Sequence, residues 1–267
     1  MLDILSMRNM VKIYFKFKSQ YIKTQMEYKA NFIMMVFAGV IMRSLLMGVV
    51  FVLFHNIPDI AGWHEGELYL ILGFIVITEG LHNIFADGIW HIPNLVFRGN
   101  LDVMLSRPIS PLYQIISYEI GLQGIGSVIV GFTSLLIGLV SMGWLTPLTI
   151  VMVIFFVLTG LVLRLSFNLI SLSVAFWVYG GGMTSGFLVY SISEFARYPL
   201  TIYPGWMRFI LFLIIPAGFI GFVPAMIIRG EEVLFYSLAL LVVTVLYFLL
   251  ARAIFYRGIK RYESIGM

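Results

Sequence analysis

Residues 233–256 read VLFYSLALLVVTVLYFLLARAIFY, with Arg252 as the sole charge. As a helix rising 1.5 Å per residue, such a run is long enough to cross a hydrocarbon core about 30 Å thick. Working outward from it, five more apolar stretches fall near 30–54, 68–90, 113–140, 148–176 and 183–198. The composition agrees. The 267-residue chain is 61% hydrophobic and 11% charged, whereas soluble domains carry about 45–50% and about 25%. The expected fold is therefore an all-α integral membrane domain of six spans, one domain over 1–267, with no linker, internal repeat or sizeable soluble part.

A further apolar stretch, 208–228, is interrupted by Pro216 and Pro224, with Gly218 and Gly221 between them. Each proline removes a backbone donor and disfavours an unbroken helix. A re-entrant hairpin within 199–230 is expected there rather than a seventh span, shielded by protein or lining a cavity. The first 29 residues lack the pattern of a cleaved signal peptide. Met10, Ile13, Tyr14, Phe17 and Tyr21 recur at helical spacing, and Arg8, Lys12, Lys16, Ser19 and Lys23 form a second stripe. That pattern predicts a basic amphipathic helix lying along lipid headgroups.

The net charge is +4. In so apolar a chain this excess points to anionic lipid and the positive-inside rule, not to nucleic acid. Arg8, Lys12, Lys16, Lys18, Lys23 and Lys29 at one end, and Arg252, Arg257, Lys260 and Arg261 at the other, place both termini in the cytoplasm. The 55–67 loop holds Asp59, Glu65 and Glu67 without Lys or Arg, and is expected outside; the 91–112 loop, with Arg98 and Arg107, is expected inside.

Charges within spans are candidates for function. Counting depth along the helices brings Arg43 and Glu79 to similar levels, which predicts a pair. The same count puts Asp87, Glu119 and Arg164 in a second layer near the inner boundary. These groups either hold the helices together or line a path. Ser117, Gly121, Gly124, Ser127, Gly131, Ser134, Gly138 and Ser141 make a stripe of small residues in the third span. Such a stripe lets another helix approach closely, either within the chain or across a dimer. The chain has no cysteine, so disulfides, thiolate metal sites and cysteine nucleophiles are excluded. Walker A, H-E-x-x-H and G-x-S-x-G motifs are absent, so no catalysis is expected of this chain. The pairs His55/His64 and His82/His91 lack compact metal spacing, and no metal or cofactor site is expected. Gly180–Gly182 reads as a flexible turn.

The segment Arg98-Gly99-Asn100-Leu101-Asp102-Val103-Met104-Leu105-Ser106-Arg107-Pro108-Ile109-Ser110-Pro111 resembles the G-x-L-D-x-x-L-x-R-P-x-x-P segment of six-span, type-2 class ABC exporter permeases of bacteria. Ala196-Arg197-Tyr198-Pro199, Tyr203-Pro204-Gly205-Trp206-Met207-Arg208, Ile215-Pro216 and Val223-Pro224-Ala225 are similar to the same class. The resemblance implies a cytoplasmic-membrane exporter in which a second permease half, the same chain or a relative, dimerises with this one. It implies two copies of a separate ATPase that hold ATP and Mg, contacted by the N-terminal helix and by a coupling helix at 98–110. Within that helix, Leu101, Met104 and Leu105 supply an apolar face and Asn100 or Asp102 a cap. Leu101 and Leu105 would enter a groove on the ATPase, with Arg98 and Arg107 at its rim. Pro108 would end the helix. An ion-coupled transporter or a membrane assembly scaffold are the alternative classes; the first would need a mid-membrane ion site and usually inverted repeats.

Overall fold

The computed structural model describes residues 7–57, 59–178 and 181–263. Among these there is no strand; twelve α-helices, several short 3-10 turns and one π-helical turn over Ile210–Ile214 make up the fold. Helix α1 (Met7–Met26) is followed by α2 (Lys29–Asn56) and by α3 (Glu65–Ala86). A 3-10 turn over Asp87–His91 joins α3 to the short α4 (Ile92–Phe97) and α5 (Leu101–Leu105). Then come α6 (Pro111–Ser117), α7 (Gln123–Ser141) and α8 (Pro147–Ser173). After α9 (Gly181–Ser193) and a 3-10 turn over Glu194–Arg197, the chain forms α10 (Gly205–Phe209), α11 (Phe222–Arg229) and α12 (Val233–Arg261). Gly180 lies outside the described residues, and Gly181 and Gly182 open α9 instead of forming a turn.

Local chemistry sets several boundaries. Thr146 caps α8, accepting a bond from the Thr149 amide at 3.2 Å, with Pro147 at the first helical position. Glu67 accepts a bond from the His64 amide at 2.8 Å, closing a capping box at the start of α3. Gly230, at φ +94°, ends α11 in the left-handed region that glycine adopts freely.

Helices α2, α3, α7, α8 and α12 are each long and apolar enough to span a membrane. Central α3 is buried on nearly every face, packed between α7 and α8; α2 covers α7, and α12 covers α8. The third apolar stretch is shorter than expected. Its helix starts at Gln123, because the chain breaks at 118–122 so that the Gly121 amide can reach the Asn83 carbonyl at 2.9 Å. Glu119 therefore sits in a break between α6 and α7. The fifth stretch is also discontinuous: α9 ends at Ser193, and the chain continues through 3-10 turns and irregular backbone to Thr201.

The 205–229 segment bends by 72° at Ile215–Pro216. Tyr247 of α12 donates to the Leu213 carbonyl at 2.8 Å, holding the bend. Pro224 does not break α11, since it lies in the first turn, where its missing N–H has no helical partner. The stretch just before this segment and the segment's far end both meet the α2–α3 connection. Trp63 Nε1 donates to Thr201 at 3.0 Å, and Arg229 donates to the Gly62 carbonyl at 3.1 Å and faces Glu67 at 3.4 Å.

Candidate functional site

Three features of the sequence reading come together around α3: the small-residue stripe, the buried charges and the 98–110 turn. The stripe is the means by which α7 lies on α3. Gly124, Ser127, Gly131, Ser134 and Gly138 are all buried. A Cβ at Gly124 would stand 2.6 Å from the Gly80 carbonyl oxygen, and one at Gly138 the same distance from that of Gly66. Ser134 donates across the interface to the Tyr69 carbonyl at 2.8 Å. This face is used within the chain, so it is closed to a second copy. Gly126, off the stripe, makes the equally close contact with α2.

Arg43 of α2 and Glu79 of α3 form an ion pair, with 17% and 9% of the two side chains exposed. Arg164 is not in the layer of Asp87 and Glu119. Side chains on a helix lean toward its N-terminus, and Arg164 reaches back along α8 to donate to the Ile75 carbonyl at 3.1 Å. It therefore shares a small cavity with Glu79, His82, Asn83, Asn168, Tyr190 and Glu194. His82 contacts Asn168 at 3.0 Å and Asn83 at 3.3 Å. Glu194 also pairs with Arg197 one turn onward. The sequence reading missed Glu194 and Arg197 as a pair. Their i, i+3 spacing at the end of an apolar stretch was the available signal.

Asp87, His91 and Glu119 gather at the α4 end of the bundle, where α1 docks. His91 Nε2 lies 2.5 Å from Glu119 Oε1. Tyr14 of α1 donates to the Phe85 carbonyl at 2.7 Å, and Lys18 donates to the Glu119 carbonyl. Lys18 is thus buried against the chain. Burial lowers its ammonium pKa to about 8, an effect partly opposed by the charges of Asp87 and Glu119. The amphipathic reading assigned Ile13, Tyr14 and Tyr21 to lipid, but these half-buried residues share the docked face. Phe15 and Phe17 remain exposed.

The 98–110 turn has two faces. Leu101 and Met104 are buried among Leu95, Ile115 and Phe255, so they anchor α5 to its own bundle and cannot enter a partner's groove. The reason is proximity: the chain's own apolar surface is the nearest place to bury an i, i+3 pair. No side-chain cap comes from Asn100, and Asp102 lies inside the helix. Gly99, at φ +71°, makes the corner between α4 and α5. Gln114 holds the return by donating to the Met104 carbonyl at 2.8 Å and the Ile109 carbonyl at 2.9 Å. What faces outward is Phe97, Val103 and Leu105, flanked by Arg98 and Arg107. A groove of about 410 Å³ runs beside them to Phe17 of α1, lined by Leu95, Asn100, Val103, Met104, Arg107 and Tyr118.

The family model described as ABC-2 family transporter protein matches residues 15–266. The chain belongs to the ABC-2 transporter family. It is a multi-pass membrane permease, and membership implies association with an ABC ATPase subunit. Compared with curated proteins and with solved structures, the chain shows no match. In this ABC-2 permease the 98–110 turn lies between α3–α4 on one side and α6–α7 on the other. The turn therefore connects the two helices packed most closely in the bundle.

Proposed function

We propose that this chain is the membrane-spanning half of an ATP-driven exporter, moved by a separate ATPase that grips the 98–110 turn. The observation that carries this reading is the outward patch of Val103 and Leu105 on α5, continued by Phe97 at the end of α4, on a turn anchored from behind by Leu101 and Met104. An exposed apolar patch rimmed by charge marks a contact surface. Here it adjoins a groove shared with α1, which gives the ATPase a second hold.

The orientation follows from charge. The turn end of the bundle carries Arg98, Arg107, Arg257, Lys260 and Arg261 against Asp102, and the opposite end carries Arg208 and Arg229 against Asp59, Glu65, Glu67, Glu231 and Glu232. The positive-inside rule puts the turn and both termini in the cytoplasm. The 205–229 segment then re-enters from outside. A second permease subunit, two ATPase copies and a bacterial cytoplasmic membrane complete the assembly.

The test is Leu105→Asp beside Leu101→Ala, each co-expressed with the ATPase. Burying a leucine contributes about 1.5–3 kcal/mol, so Leu105→Asp should weaken co-purification of the ATPase tenfold or more while the chain stays inserted and folded. Leu101→Ala, made in a core, should lower stability by about 2–5 kcal/mol. Wild-type association and transport in Leu105→Asp would show that force enters elsewhere.

A further inference from the structure

Around the small cavity between α3, α8 and α9 the charges do not balance. Arg43, Arg164 and Arg197 stand against Glu79 and Glu194, an excess of one positive charge inside the membrane domain. The two carboxylates are already engaged, Glu79 by Arg43 and Glu194 by Arg197. Arg164 is left with the Ile75 carbonyl as its bonded partner, and its Nε is buried without one. Arg197, nine-tenths buried, has Nε and Nη2 in the same condition. Buried charges and buried N–H donors are costly unless paired, and guanidinium N–H groups match the geometry of a carboxylate or phosphate.

We propose that this cluster binds an oxyanion, a phosphate or carboxylate group, at Arg164 on the cavity wall, with Arg197 adding positive charge from behind the lining Glu194. The cavity, about 40 Å³, offers room for about three waters, the scale of a compact anionic head. Asn168, Tyr190 and Ser193 on its wall offer neutral polar groups around the charge. The anion comes either from the transported molecule, which makes the cargo anionic, or from a resident inorganic ion. The cargo assignment rests on the exporter reading; the site itself does not.

The experiment is equilibrium dialysis of labelled inorganic phosphate against the full-length chain in detergent, without an ATPase. Saturable binding near one equivalent is expected. Arg197→Gln should weaken it tenfold or more, and Glu194→Gln, which removes a competing carboxylate, should tighten it by a similar factor. A merely structural role for the Glu194–Arg197 pair would weaken binding in both variants. Arg252→Gln, on α12 away from the cavity, should leave binding unchanged. Absence of saturable binding, or equal affinity in all variants, overturns the proposal. If Arg197→Gln does not fold, the sign of the Glu194→Gln effect still decides. Dodecyl phosphate competing better than inorganic phosphate, with dodecanol inert, assigns the anion to an amphiphilic cargo; weaker competition assigns it to a resident ion. Failure here leaves the coupling test at Leu105 untouched, and failure there leaves phosphate binding untouched.

Discussion

Replacing Gly131 by alanine tests the idea that α3 and α7 act as one rigid lever. A Cβ at Gly131 would stand 2.5 Å from the Ile77 amide nitrogen and 2.9 Å from its Cα. Ordinary contact begins near 3.4 Å, so the helices would have to part by about 0.9 Å. The obstacle is backbone, and no rotamer change relieves it. The Ser134–Tyr69 bond, now 2.8 Å, lies one turn away and would stretch with the separation. Overpacking costs about 1–3 kcal/mol and a lost hydrogen bond about 1 kcal/mol more. Against this, alanine in a helix recovers about 0.5–1 kcal/mol relative to glycine. The net loss of about 1–3 kcal/mol corresponds to a fall of roughly 2–10 °C in melting temperature for a chain of this size. Gly48 supplies the control, since a Cβ there meets nothing within 4 Å; Gly48→Ala should be neutral or slightly stabilising. Tryptophan fluorescence during thermal unfolding in detergent reads both variants. A Gly131→Ala protein as stable as Gly48→Ala would refute the close-packed lever.

Exchanging the charges at Arg43 and Glu79 should restore assembly that either single reversal impairs, because one buried charge without its partner costs about 3–5 kcal/mol; accumulation of folded protein in membranes measures this, and a double reversal no better than the singles would count against the pair. For Lys18, whose ammonium pKa is lowered to about 8, the undocked helix binds more protons between that value and about 10.4, so docking of α1 should strengthen as pH rises through the interval. Asp87, Glu119, Tyr14 and Tyr21 surround it, so the informative quantity is the difference between wild type and Lys18→Met in hydrogen exchange along α1 at pH 7 and 9.5; no difference would remove Lys18 from the docking energetics. Cysteines at Arg208 and Arg229, in a chain that has none, should both react with an impermeant thiol reagent from outside; labelling of one from inside would make 205–229 a full span.

The spans were legible because an apolar run of some twenty residues has few fates besides a membrane helix. The small-residue stripe was legible as a face, since its three- and four-residue spacing survives any choice of partner. Two other features were hidden for a common reason. Leu101, Met104 and Leu105 advertise an amphipathic helix, but a five-residue helix has apolar groups on both sides, and periodicity does not say which side meets the bundle. Arg164 likewise has its Cα depth written in the sequence, whereas its long side chain decides where the charge sits. Placing Arg164 with Glu79 rather than with Asp87 changes the meaning of both groups. Asp87, His91 and Glu119 become the floor on which α1 docks through Lys18. Arg43, Arg164, Arg197, Glu79 and Glu194 become a single cluster inside the bundle. Its Glu79 lies on α3, which leads through α4 into the turn that we propose the ATPase grips. Movement of that turn would therefore be felt at the arginines, because the α3–α7 contact leaves no slack between them.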